Sequence, residues 1–225
     1  MKKTFFLLLI ITIIPDVFAS TGRNVEYTCP LCNTNFESFT QFSYTTFGMN
    51  LDLRPYGAAI IPTPIAKCPH CNFVFFDDYF TKEEINAIKM ELETNNIFVN
   101  EPDMPNYYYF AKEAEIIDSD LDDIIWWYLS AVWENRNESK KNILIDITIK
   151  NIDKLEKTDE AYNDYQMVKL DLLRRSGQFE KALDLIEEIK LNKDYYYDII
   201  VKIINLQTEL IKNKDQKEHP IPRDD

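Results

Sequence analysis

The sequence predicts an α+β protein: a small N-terminal zinc-ribbon-like β module followed by an all-α domain of tetratricopeptide-like helical hairpins. Two observations carry that prediction. An eight-residue phrase, Cys-Pro-x-Cys-Asn-x-x-Phe, occurs at Cys29–Phe36 and again at Cys68–Phe75, and the two copies use every cysteine in the chain. From Thr81 onward, apolar residues recur at helical spacing and the connections are short and polar.

The chain opens Met1-Lys2-Lys3, continues with an apolar run from Phe5 to Ile14 that only Thr12 interrupts, and reaches Val17-Phe18-Ala19 before Ser20. A cationic start, a short apolar stretch and small residues at its end read as a secretory signal peptide, residues 1–19, cleaved after Ala19. A bilayer span needs about twenty apolar residues, so a retained N-terminal anchor is the lesser reading. The mature protein is expected to be soluble, periplasmic or extracellular, with no stable membrane insertion. Losing Lys2, Lys3 and Asp16 moves the net charge from −13 to −14. That charge repels phosphate backbones, which argues against nucleic acid as a partner, and it favours a protein or peptide partner that is cationic.

Residues 20–80 are read as the β module. Phe36, Phe39, Phe42, Tyr44 and Phe47 are spaced by two or three, as in extended chain. Leu51 to Gly57 reads as a strand end entering a turn. Pro62 and Pro64 confine Ile60–Ile65 to an edge. Phe73–Phe76 is a short apolar run that ends at Asp77-Asp78.

Residues 81–213 are read as the helical domain. Thr81 and Glu84 form a capping box, with Ile85, Ile88 and Leu92 behind it. Further helices are expected near 106–117, 120–135, 138–156, 159–175, 178–190 and 194–213. Leu173, Gly177, Phe179 and Ala182 follow the order of a tetratricopeptide turn, giving a repeat over Asn163–Tyr196, with Gln166 and Asp194 departing from the pattern. Residues 214–225, with two prolines and seven charged side chains, are expected to be a disordered tail.

Chemistry is concentrated in Cys29, Cys32, Cys68 and Cys71. Two residues between cysteines let one tight turn aim both sulfurs at a single ion, and proline after the first presets φ. The position after the second cysteine usually takes positive φ. Asn33 and Asn72 stand there, and asparagine tolerates that region well. Phe36 and Phe75 should start the outgoing strands and meet beneath the site. One structural zinc ion bound by all four thiolates is the first reading. Disulfides are a second, because an exported thiol meets an oxidising compartment. A third is thiol–disulfide redox chemistry at Cys68-Pro69-His70-Cys71, which would need a cysteine at a helix N-terminus.

Other candidates are weaker. His70 and His219 are the only histidines and lack partners for a Ser-His-Asp arrangement. Glycine occurs only at positions 22, 48, 57 and 177, so no phosphate loop exists. Trp126 and Trp133 form a core stripe, which leaves Trp127 or Tyr128 to border a groove. The triplets Tyr107–Tyr109 and Tyr195–Tyr197 cannot be buried all round; partly exposed tyrosines are enriched at binding surfaces, though surface aromatics are also ordinary. Asp118, Asp120, Asp122 and Asp123 read as a helix-start acidic cluster and not as a calcium loop.

Together, Cys29/Cys32, Asp52-Leu53-Arg54-Pro55, Cys68/Cys71 with Phe73, Trp126 to Trp133, and Leu173 to Ala182 resemble a bacterial family known as domain of unknown function 2225. The resemblance covers roughly residues 27–190. It implies a four-cysteine zinc-ribbon-like module followed by tetratricopeptide-like helices, and it implies no activity. The chain departs from the family in having Asn after each second cysteine and in its export signal. The function expected is a non-catalytic scaffold or protein-interaction module. The alternative is a redox protein or redox sensor of the cell envelope.

Overall fold

The computed structural model describes residues 20–76, 79–192, 195 and 197–223. The expected signal peptide, Asp77-Asp78 and Tyr196 lie outside the described residues. The architecture is α+β, with a three-stranded antiparallel sheet followed by eight helices, about 50% helical. β1 (Ser20–Thr28), β2 (Asn35–Met49) and β3 (Pro55–Ala58) form the sheet, in that order. β2 pairs with β1 through its first ten residues and with β3 through its last five. β4 (Ala66–Lys67) and β5 (Val74–Phe75) form a second antiparallel pair.

The helices are α1 (Lys82–Thr94), α2 (Ile97–Asn100), α3 (Asn106–Ile116), α4 (Leu121–Glu134), α5 (Glu138–Ile152), α6 (Tyr162–Arg175), α7 (Phe179–Leu191) and α8 (Asp198–Lys212). From α3 onward each packs on the next, and α6 also touches α8. The capping box at α1 is complete: Glu84 N–H donates to Thr81 Oγ1 at 3.3 Å, and Thr81 N–H donates to Glu84 Oε2 at 2.7 Å. α6 ends as its glycine requires. Gly177 has φ +78°, its N–H donates to the Arg174 carbonyl, and Gln178 N–H donates to the Leu173 carbonyl, which together make a Schellman end.

A continuous apolar core runs from Cys29 to Ile211, so the β module and the helices are not insulated from one another. β5 seats on α3, where Phe76 meets Phe110 edge-to-face at 5.3 Å.

Three expectations are corrected. The tyrosines of α3 are all buried: Tyr107, Tyr108 and Tyr109 are 2–3% exposed. α3 has neighbours on several sides, since α1, α2, α4 and β5 all touch it. Each hydroxyl finds an acceptor, Tyr107 on the Thr63 carbonyl, Tyr108 on the Glu101 carboxylate and Tyr109 on the Glu101 carbonyl. α4 likewise buries more than one stripe, because it lies against both α3 and α5. Tyr128 is buried, Trp127 packs on Phe76, Tyr107 and Phe110, and Trp126 is the exposed member of the group.

The third correction concerns the tail. Residues 214–223 are placed against the β module: Leu51 N–H donates to the His219 carbonyl, and Ile221 N–H donates to the Met49 carbonyl, each at 2.9 Å. Glu218 bridges Arg54 at 3.2 Å and Arg175 at 2.9 Å. Composition suggested disorder because charge and proline count against a packed segment. Here the charges have partners from distant parts of the chain, and Pro220 sits in an isolated bridge opposite Asn50, where no donor is required of it.

Candidate metal centre

Each cysteine phrase folds as a turn joining two antiparallel strands, β1 to β2 for the first and β4 to β5 for the second. The two turns have the same hydrogen bonds. Cys29 N–H donates to the Thr34 carbonyl and Asn33 N–H to the Cys29 carbonyl. Cys68 N–H donates to the Phe73 carbonyl and Asn72 N–H to the Cys68 carbonyl. Asn33 and Asn72 take φ +59° and +63°, the left-handed region expected of them. Asn72→Ala should therefore destabilise the chain by about 1–2 kcal/mol, while Asn72→Gly should be nearly neutral; urea unfolding of the two variants checks this.

The turns face one another. Cys29 Sγ lies 3.6 Å from Cys71 Sγ, Cys32 Sγ lies 3.6 Å from Cys68 Sγ, and all four sulfurs fall within 4.8 Å of each other. Cys29 and Cys68 are fully buried, and Cys32 and Cys71 are partly so. The four sequence-predicted ligands therefore converge and could hold a metal ion. Beneath them Phe36 and Phe75 meet edge-to-face at 6.2 Å, with Tyr27 against both.

Burial pushes the Cys29 thiol up to about 11 and raises that of Cys71 further still. Burial also opposes ionisation of Cys32, but hydrogen bonding to Thr34 and to the neighbouring thiols outweighs it and lowers that thiol to about 6. Thiolates brought this close in a buried place repel one another, and a divalent cation at their centre removes that repulsion. Cys68 lies between two strands and not at a helix N-terminus, so the dipole that activates a thioredoxin-type cysteine is missing.

The remaining candidates do not join the site. His70 is exposed at the knuckle, and His219 Nε2 sits 3.2 Å from Asp215. Asp122 and Asp123 occupy the first turn of α4, as expected of helix-start acids.

Two polar clusters escaped sequence reasoning. Glu113 on α3 is fully buried; its Oε1 accepts the Val74 N–H at 3.3 Å, and its Oε2 has no partner. Burial raises its pKa well above the ordinary 4.5, despite the nearby Lys67 charge. A carboxyl whose folded pKa is raised penalises the native state once pH passes its unfolded value. Glu113→Gln should accordingly stabilise the chain by on the order of 1 kcal/mol or more at pH 7, with the gain fading towards pH 4. Thermal melts of both proteins across that range test it.

The second cluster joins the module to the helices. Asp52, fully buried, accepts from Arg175 and from Trp133 Nε1, the latter at 3.1 Å. Arg175 also donates to Glu218, and Arg174 donates to Asp171 at 2.6 Å and to Gln207 at 2.8 Å. Burial opposes the Arg175 charge, but Asp52, Asp171 and Glu218 outweigh it and hold its pKa above the usual value. The only sequence signal was Asp52-Leu53-Arg54-Pro55, noted for its resemblance and not for burial.

No protein-family model matches the chain, and no curated protein or solved structure is detectably similar to it.

Proposed function

We propose that this chain is an exported, zinc-stapled interaction scaffold without catalytic activity, of the kind seen in the domain of unknown function 2225 resemblance. The convergence of four sulfurs carries the reading. Four ligands at 2.3 Å around one tetrahedral zinc would stand about 3.8 Å apart, close to the two 3.6 Å sulfur separations. An all-thiolate set suits zinc, and four protein ligands leave no position for a reactive water. Zinc would then organise both turns and seat Phe36 and Phe75 beneath them.

The interaction surface in this reading is the helical face. The α6–α7 pair has the tetratricopeptide-like features of Gly177 at its turn and fully buried Ala182 at its crossing. A groove of about 710 Å³ runs over α5, α6 and α7, lined among others by Asp146, Lys150, Lys169, Asp184 and Glu188. Stacked hairpins commonly present such concave surfaces to peptides, and the acids of this groove, Asp146, Asp153, Asp184 and Glu188, outnumber its lysines, Lys150, Lys169 and Lys181, by one, which favours a cationic one.

Metal analysis and thiol titration on the chain purified under reducing conditions without chelator test the first half. One zinc per chain, with four thiols that react only after chelator is added, is the expected result. Exchangeable disulfides, or reduction of insulin, would transfer the reading to the redox alternative. Pull-downs from envelope extracts at low and high salt test the second half. Partners should be retained by the native chain and lost by Asp184→Arg with Glu188→Arg.

A further inference from the structure

In a chain of net charge −13, residues 38–51 and 55–66 contain no Asp, Glu, Lys or Arg. These residues include most of β2 and all of β3. Thr28 pairs with Asn35 at the knuckle end of the sheet, and Ser20 pairs with Tyr44 at the far end. Along the far half of β2, large apolar side chains stand in solvent: Phe39 is 40% exposed, Phe42 56%, Tyr44 47%, Phe47 60% and Met49 49%. Such a continuous exposed apolar patch marks a docking surface.

Glu26 and Glu37 pair on the knuckle side of Phe39, but two arginines reach the rest of the patch. The Arg23 guanidinium lies 5.3 Å from the Phe42 ring centre, and Arg223 donates to the Phe47 carbonyl and the Tyr56 hydroxyl.

We propose that this end of the β1–β2–β3 sheet docks on the interface of a lipid bilayer, with Phe42 and Phe47 entering the acyl boundary and Arg23 and Arg223 facing lipid phosphates. Aromatic rings and arginines are the side chains that favour that zone. Residues 38–51 and 55–66, which carry no acid, are also where a strongly anionic protein is least repelled by anionic lipid. The inference does not depend on the metal or on the groove. A second copy of the chain is the competing occupant, since a neutral face is equally where two anionic chains would meet.

The test is flotation with phosphatidylcholine vesicles of the chain beginning at Ser20, which keeps every described element. It should float with the vesicles, and Phe42→Ser with Phe47→Ser should lower the bound fraction about tenfold or more. Both side chains are exposed, so helicity and melting temperature should not change. Failure to float, or equal flotation of the double variant, overturns the proposal. So does sedimentation showing a concentration-dependent dimer that the same double substitution abolishes, which would assign the face to a second copy.

Discussion

Cys68→Ser is expected to abolish stoichiometric zinc and to unfold the N-terminal module while leaving much of the helical domain folded. The magnitude follows from comparing two energies. Structural zinc in a four-ligand site contributes roughly 10–16 kcal/mol of apparent folding free energy, whereas a whole domain is usually stable by about 5–15 kcal/mol. Outside its contacts with the helices and the C-terminal segment, the module's own strands hold it weakly. β4 and β5 are two residues each, and the far half of β2 is exposed. The helical part has its own support, with Leu144, Leu170, Leu172, Ile186 and Ile204 all at most 1% exposed. Hydrogen exchange should therefore rise sharply across residues 20–76 and much less across α4 to α7, and far-UV dichroism should fall only partly. Acid should act in the same direction, because protonating thiolates releases the metal. Full zinc content in the variant, or unchanged exchange across residues 20–76, would refute the staple.

The features legible in the sequence were those fixed over a few residues. The paired knuckles, positive φ at Asn33 and Asn72, the Thr81 capping box and the Gly177 helix end each depend on local backbone geometry, and each was read correctly. Helix positions followed from periodicity, with ends displaced where irregular turns intrude. α6 begins at Tyr162 and not at 159, because residues 156–161 form hydrogen-bonded turns, among them Glu156 N–H on the Asp159 carboxylate. What depends on distant partners was not legible. The three tyrosines of α3 looked too many for one buried face, since nothing local shows that four elements surround that helix. Residues 214–223 looked disordered because Glu218 and Ile221 find Arg54, Arg175 and Met49 only after the chain has folded. The convergence of the four cysteines was legible in the sequence, and the link from their module to the helices was not.

That link carries the second large effect. Asp52→Ala should destabilise the chain by about 3–5 kcal/mol, as removing one partner of a buried ion pair does. The loss would take from the Arg175 guanidinium, which is 5% exposed, its nearest carboxylate, leaving it Asp171 at 3.7 Å and Glu218, and would leave Trp133 Nε1 without its acceptor. Glu218 would remain on Arg175, but its side chain is 36% exposed and screened by water, so it replaces little of what Asp52 supplies. Asp52→Asn should cost less, because an amide oxygen can still accept from Trp133. Asp52→Ala combined with Arg175→Met should recover part of the loss by removing the less well paired charge, and the resulting cycle should show a coupling of about 0.5–3 kcal/mol. Urea unfolding of the four proteins measures all of this, and an Asp52→Ala change within about 0.5 kcal/mol of the native chain, the range of an ordinary surface substitution, would contradict it. Asp52 belongs to the segment between β2 and β3, Arg175 to the end of α6, and Glu218 to the returning C-terminal segment. The ion pair therefore does more than stabilise: it ties the cysteine-bearing module to the end of α6 and to the returning C-terminal segment, and so fixes their relative orientation.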